Sequence, residues 1–177
     1  MILGLGHDVT DVAAFGEQLT EPGSRMRALF SARELRQSAL RAQAKRDGEA
    51  VHLAARWAGK EAVVKAWCEA LALGAAPVAP PYTLDDCPWS GIEILDDARG
   101  VPRVALRGDV EERLAASLRA AGVLPAAGAA DVAAGAADVA ADAAMVRWHL
   151  SLSHDGPIAS AVAVLDLLDL PHLAGVA

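Results

Sequence analysis

The stretch VHLAARWAGKEAVVKAWCEALALG, Val51 to Gly74, is the longest helical pattern in the chain, and its reading decides the fold. It holds no proline, is rich in alanine and leucine, and ends on a glycine, the residue that most often closes a helix. Trp57, Glu61, Val64 and Cys68 fall on one stripe of it, so Glu61 lies among large or apolar side chains, where a carboxylate needs a partner. Glu61 and Lys65 also stand in the i, i+4 order that stabilises a helix by roughly 0.3–0.5 kcal/mol, which makes a plain surface salt bridge the alternative reading.

Upstream, ILGLG at 2–6 reads as a buried strand with Asp8 at its C-terminal end, followed by a helix over 11–20 that Glu21-Pro22-Gly23 breaks. Ser31 is placed to cap the next helix and Glu34 to complete a capping box, with the helix running through LRQSALRAQ to a loop at 46–50. Downstream, residues 75–89 hold four prolines and read as an extended loop. GIEILDD and VPRVALRG alternate around DDARG as a β-hairpin, with Gly100 at its tight position. Residues 109–121 read as a helix capped by Asp109, and MVRWHLSLS and IASAVAVLDL as the last strands. Between α-helical and strand signals near the end, AAGAADV at 126–132 recurs at 133–139, part of a low-complexity Ala/Gly/Asp insertion at about 122–144 with little to bury and no chemistry of its own.

The whole chain has 177 residues, enough for one domain with a real core. It holds only four Trp, two Phe and one Tyr, so packing relies on small side chains with the tryptophans as anchors. No apolar run is long enough for a membrane span, Met1 leads directly into a strand, and the two cysteines lack both disulfide-framework and metal-finger spacing, so a cytoplasmic location is expected. A net charge of −7 argues against a nucleic-acid binder. That average hides an asymmetry: ten basic and four acidic residues between Arg25 and Lys65 give a local net of +6, suited to steering an anionic partner.

Three groups of residues are candidates for chemistry. Asp8 and Glu61 together suit Mg²⁺, which typically takes one or two protein carboxylates and fills its octahedron with water and phosphate oxygens. His154 in SLSHDG, at the end of a strand, suits a general base, with Asp155 or a backbone carbonyl to orient it. A serine hydrolase is disfavoured, because no G-x-S-x-G elbow is present. A dinucleotide site is also disfavoured, since Val9 stands where G-x-G-x-x-G needs its third glycine.

Taken together, Gly4-x-Gly6-x-Asp8, Phe30-Ser31-x-x-Glu34, the block from Leu53 to Ala66, Gly100-x-Pro102-Arg103 and SLSHD resemble the holo-[acyl-carrier-protein] synthases, the short type of 4′-phosphopantetheinyl transferase, and especially actinobacterial members. The resemblance covers the chain apart from the proline-rich loop and the repeat. It implies an α+β fold, a small antiparallel sheet packed on a long central helix, assembled as a homotrimer with active sites between neighbours. It implies transfer of the phosphopantetheine arm of coenzyme A to a serine of apo acyl carrier protein, with release of adenosine 3′,5′-bisphosphate.

By the same resemblance Asp8 and Glu61 hold Mg²⁺, and Arg56, Lys60, Lys65, Gly100, Pro102, Arg103, Ser153 and His154 meet coenzyme A. The base is His154 with Asp155, a metal-bound water oriented by Glu61, or Lys65. The carrier protein docks on Arg25, Met26, Arg27, Phe30 and Arg33, charges steering and Met26 and Phe30 anchoring. Val101 stands where the family usually has lysine or arginine, leaving Arg103 or Arg99 to replace that phosphate contact. A carrier-binding module that has lost catalysis is the competing class, and the carrier's type, fatty-acid or polyketide, stays open. Because side chains alternate along a strand, His7 and Asp8 are expected on opposite faces, His7 in a structural role.

Overall fold

The computed structural model describes residues 1–125 and 145–168; the tandem repeat lies outside them. Among the described residues five strands and four α-helices follow one another as β1 (Ile2–Asp11), α1 (Val12–Thr20), α2 (Ala32–Lys45), α3 (Glu49–Ala72), β2 (Ile92–Asp96), β3 (Pro102–Leu106), α4 (Gly108–Ala120), β4 (Val146–Asp155) and β5 (Ile158–Leu167). Two small antiparallel sheets form, one in the order β1-β5-β4 and the other a β2-β3 hairpin, giving α+β content.

Local chemistry sets most of the boundaries. Ser31 Oγ accepts from the Glu34 N–H at 3.2 Å while the Glu34 carboxylate accepts from the Ser31 N–H at 2.8 Å, the reciprocal capping box that starts α2. Asp11 caps α1 by accepting from the Ala14 N–H at 2.8 Å. The hairpin turns at Gly100, whose φ of +79° suits glycine. One expected cap is corrected: α4 begins at Gly108 after Arg107, with no side-chain cap, and Asp109 sits in the first turn, where it still complements the helix dipole.

The core forms where α3 lies on the inner face of the β1-β5-β4 sheet. Ala58, Ala62, Ala66 and Ala70, one i, i+4 row of α3, are buried together with Ala161, Ala163 and Leu165 of β5. The G-x-G of β1 belongs to this contact: a Cβ on Gly4 or Gly6 would overlap the carbonyl oxygens of Ala66 or Ala62. These glycines therefore let helix and strand backbones approach closely, a packing role that needs no phosphate. On the far side of α3, Trp67 and Leu71 pack with Leu114 and Leu118 of α4, and the Trp67 Nε1–H donates to Ser117 Oγ at 2.9 Å.

Candidate active site

β1 alternates as expected, so Asp8 faces inward toward α3 with 8% exposure, whereas His7 faces outward and its Nε2 lies 3.0 Å from Ser160 Oγ. One turn of α3 completes the group. Lys65 Nζ donates to Asp8 Oδ1 at 2.7 Å and to the His7 carbonyl at 3.2 Å, and Thr10 Oγ1 donates to Asp8 Oδ2 at 3.4 Å. Burial pushes the Glu61 carboxyl from its ordinary 4.5 up to about 7; a hydrogen bond with Asp8 and that residue's charge add to the rise, and Lys65 opposes it. Two carboxyl groups thus share one small space with one ammonium.

That donor set fits a hard divalent cation. Among the described residues no group of three or more His, Cys, Asp or Glu side chains comes together, so no all-protein metal cage is built. A pair of carboxylates open to water and phosphate oxygens is instead what Mg²⁺ uses. Beyond Glu61 on the same stripe, Val64 and Cys68 line an apolar cavity of about 240 Å³ with Trp67, Tyr82, Leu84 and Cys87. Burial pushes the Cys87 thiol up to about 11 and raises that of Cys68 also, so both line the cavity as neutral, unreactive groups.

A second group lies at the other edge of the sheet, where β4 ends. His154, Arg56, Gly100 and Pro102 line a recess of about 130 Å³ with Arg41, Lys45, His52 and Asp96. Four of the eight residues expected at coenzyme A thus meet in one place. Arg56 is 3% exposed; its Nη2 donates to Asp96 Oδ2 at 2.8 Å and its Nε to the Ile94 carbonyl at 3.2 Å, so it forms a fixed wall. Asp8 and His154 are on the outer strands of the order β1-β5-β4, two inter-strand spacings or about 10 Å apart across the sheet and two residues out of register along it, His154 being level with Thr10.

Other expectations are corrected by packing. Lys60 does not face phosphate: it is fully buried, donating to Glu34 Oε2 at 2.9 Å, to the Trp89 carbonyl at 2.7 Å and to the Ile92 carbonyl. Five residues are about 140° of helix rotation, so Lys60 and Lys65 point to different neighbours. Phe30 is not an exposed anchor either; it is 4% exposed, edge-on to Phe15 and Trp57 with centroids at 6.3 and 6.5 Å. Ser153 projects from the face of β4 opposite His154 and does not reach the recess. Arg103 pairs with Asp97 at 3.3 Å and lines a separate cavity with Arg147 and Trp148.

Among the docking residues Arg25 is exposed and Met26 is half-buried against the Phe15-Phe30 cluster. Arg27 pairs with Glu49 at 2.7 Å and Arg33 with Glu93 at 2.9 Å, both arginines remaining more than half exposed at 53% and 61%. Sequence reading missed His52, Asp47, Arg41 and Lys45. The i, i+4 row His52-Arg56-Lys60 was the available signal, since it gathers three basic side chains on the face of α3 that meets β2.

A family model of the 4′-phosphopantetheinyl transferase superfamily matches residues 4–137, which include Asp8, Glu61 and Lys65. The chain belongs to that superfamily. Among transferases of this kind, the holo-[acyl-carrier-protein] synthase of Bifidobacterium animalis subsp. lactis is 55% identical over 166 residues, covering 94% of this chain and 99% of that one. The synthase of Mycobacterium marinum is 34% identical over 165 residues, 93% and 97% of the two chains. In structure, a Chronobacterium ammoniagenes ACPS–CoA complex superposes with a TM-score of 0.68 at 30% identity, covering 93% of this chain and 97% of that chain. The Mycobacterium tuberculosis acyl carrier protein synthase gives 0.58 at 29% identity, covering 95% and 100%.

Proposed function

We propose that the chain transfers 4′-phosphopantetheine from coenzyme A to a serine hydroxyl of apo acyl carrier protein, leaving adenosine 3′,5′-bisphosphate. The observation that carries this reading is the Asp8, Glu61 and Lys65 group, built where the superfamily match runs. The serine oxygen bonds to the phosphorus that bears the arm, and the phosphoanhydride bond of the pyrophosphate breaks. Asp8 and Glu61 would hold Mg²⁺, which when bound neutralises charge on the pyrophosphate oxygens. Lys65 adds a positive charge at the same place. The apolar cavity beyond Glu61 suits the uncharged arm, and the basic recess of Arg41, Lys45 and Arg56 suits the nucleotide phosphates.

His154 is the favoured base for the serine proton. Within one chain it stands across the sheet from Asp8, and a homotrimer with sites shared between neighbouring copies, the assembly that the resemblance implies, would bring the two edges together. Leu5, Val9, Ile158 and Val162 support this assembly, because they expose an apolar outer face on the same sheet. A metal-bound water oriented by Glu61 is the second candidate for the base, and Lys65 the third. The cytoplasm, where coenzyme A and carrier protein meet, is the proposed location; among the described residues no helix is long and apolar enough to cross a membrane.

The paired variants Asp8→Ala and His7→Val test the site. Adjacent in sequence and opposite in direction, they should separate sharply: loss of transfer that added Mg²⁺ rescues poorly in the first, and retained activity in the second. Equal activity in both variants would remove Asp8 from the chemistry.

A further inference from the structure

We propose that His52, held by Asp47, is the positioning residue for His154. The inference rests on the reading of His154 as the base. His154 sits near the end of β4, exposed, and among the described residues its imidazole makes no hydrogen bond. Asp155, the expected orienting group, makes none either, and the strand's alternation turns it away from His154. The ring contact His154 does make is with His52, at 5.9 Å between centroids and 88° between planes, an edge-to-face pair.

His52 is itself firmly placed. It is 4% exposed near the start of α3, and its Nε2 lies 2.7 Å from Asp47 Oδ1. A carboxylate only accepts, so the Nε2–H donates and fixes both ring plane and tautomer. Asp47 is anchored in turn, its backbone N–H donating to the Ala42 carbonyl at 3.2 Å as α2 ends. The Asp47-His52 pair therefore ties the ring to the junction of two helices, and that ring limits how His154 turns between α3 and the recess of Arg56, Gly100 and Pro102. A base without a hydrogen bond of its own is held by a neighbour that has one.

A double-mutant cycle on transfer from coenzyme A to apo acyl carrier protein separates this role from simple packing. His52→Ala should lower kcat roughly tenfold while leaving KM for coenzyme A and for the carrier within about twofold, the signature of a misplaced catalytic group. His52→Phe keeps an aromatic edge against His154 but loses the bond to Asp47, so it should fold and recover only part of that loss, which also guards against a folding defect. Once His154→Ala is present, adding His52→Ala should cost almost nothing more. Losses that multiply, or an unchanged kcat in folded His52→Ala, would overturn the positioning role alone. Full activity in His154→Ala would overturn the reading of the base and this inference with it.

Discussion

Lys60 Nζ lies 2.9 Å from Glu34 Oε2, and both side chains are fully buried. Glu34 also accepts from the N–H groups of Ser31 and Ile94, so one carboxylate joins the start of α2, the middle of α3 and strand β2. Two blocks that read as parts of a functional signature, Phe30-Ser31-x-x-Glu34 and the lysine before Glu61, are thus bonded to each other. Truncating Lys60 to Ala would leave a buried, uncompensated carboxylate and should cost about 3–5 kcal/mol of stability. Urea unfolding measures it, and a cost below about 1 kcal/mol would show that the pair is dispensable.

Gly6 supplies the second prediction. Because a Cβ there would overlap the Ala62 carbonyl, Gly6→Ala should push α3 off the sheet and destabilise the protein by at least about 2 kcal/mol. Calorimetry would register this as a drop in Tm, with Gly48→Ala, whose Cβ meets open space, as the comparison.

The raised Glu61 carboxyl makes a prediction about pH. With its value moved from 4.5 to about 7, folded protein without metal binds this proton more tightly than the unfolded chain does. The stability it contributes is complete below about 4.5 and is lost as pH rises through about 7. Unfolding midpoints measured in a chelator between pH 4.5 and 7.5 should fall more steeply in wild type than in Glu61→Gln. Parallel curves for the two proteins would refute the assignment. Added Mg²⁺ should raise the wild-type midpoint more at the alkaline end, because metal and proton compete for the same carboxyl groups.

Two neighbouring residues of the basic stretch should behave differently. Arg27, exposed and paired with Glu49, is free to steer an acidic partner, so Arg27→Glu should raise KM for the carrier protein and leave KM for coenzyme A alone. Phe30 is packed in the core, so Phe30→Ala should lower stability by about 3–5 kcal/mol without a selective effect on either KM. Steady-state kinetics with each substrate varied in turn, alongside a melt, distinguishes the two behaviours.

How much of this was legible depended on whether the cause was local. The Ser31 capping box, the hairpin turn at Gly100 and the extent of α3 are set by neighbours a few residues away, and all were readable. The opposite faces of His7 and Asp8 followed from strand alternation. By contrast, nothing near Lys60 announces that its ammonium meets Glu34, 26 positions earlier, or that Phe30 packs on Trp57. Both looked like surface ligands because charge and aromaticity are visible in a sequence, whereas the partner that buries them is tertiary. His52 was passed over for the converse reason: its partners, Asp47 and the distant His154, give it meaning only once α3 and β4 are side by side.

Group transfer to a carrier protein adds a fixed mass to the acceptor, which intact-mass spectrometry reads. Apo acyl carrier protein incubated with coenzyme A, Mg²⁺ and this protein should gain one phosphopantetheine, and a carrier whose acceptor serine is changed to alanine should gain none. Carriers of both fatty-acid and polyketide type that bind the protein yet stay unmodified would rule out transfer and make the chain a binding module that kept the fold without the chemistry.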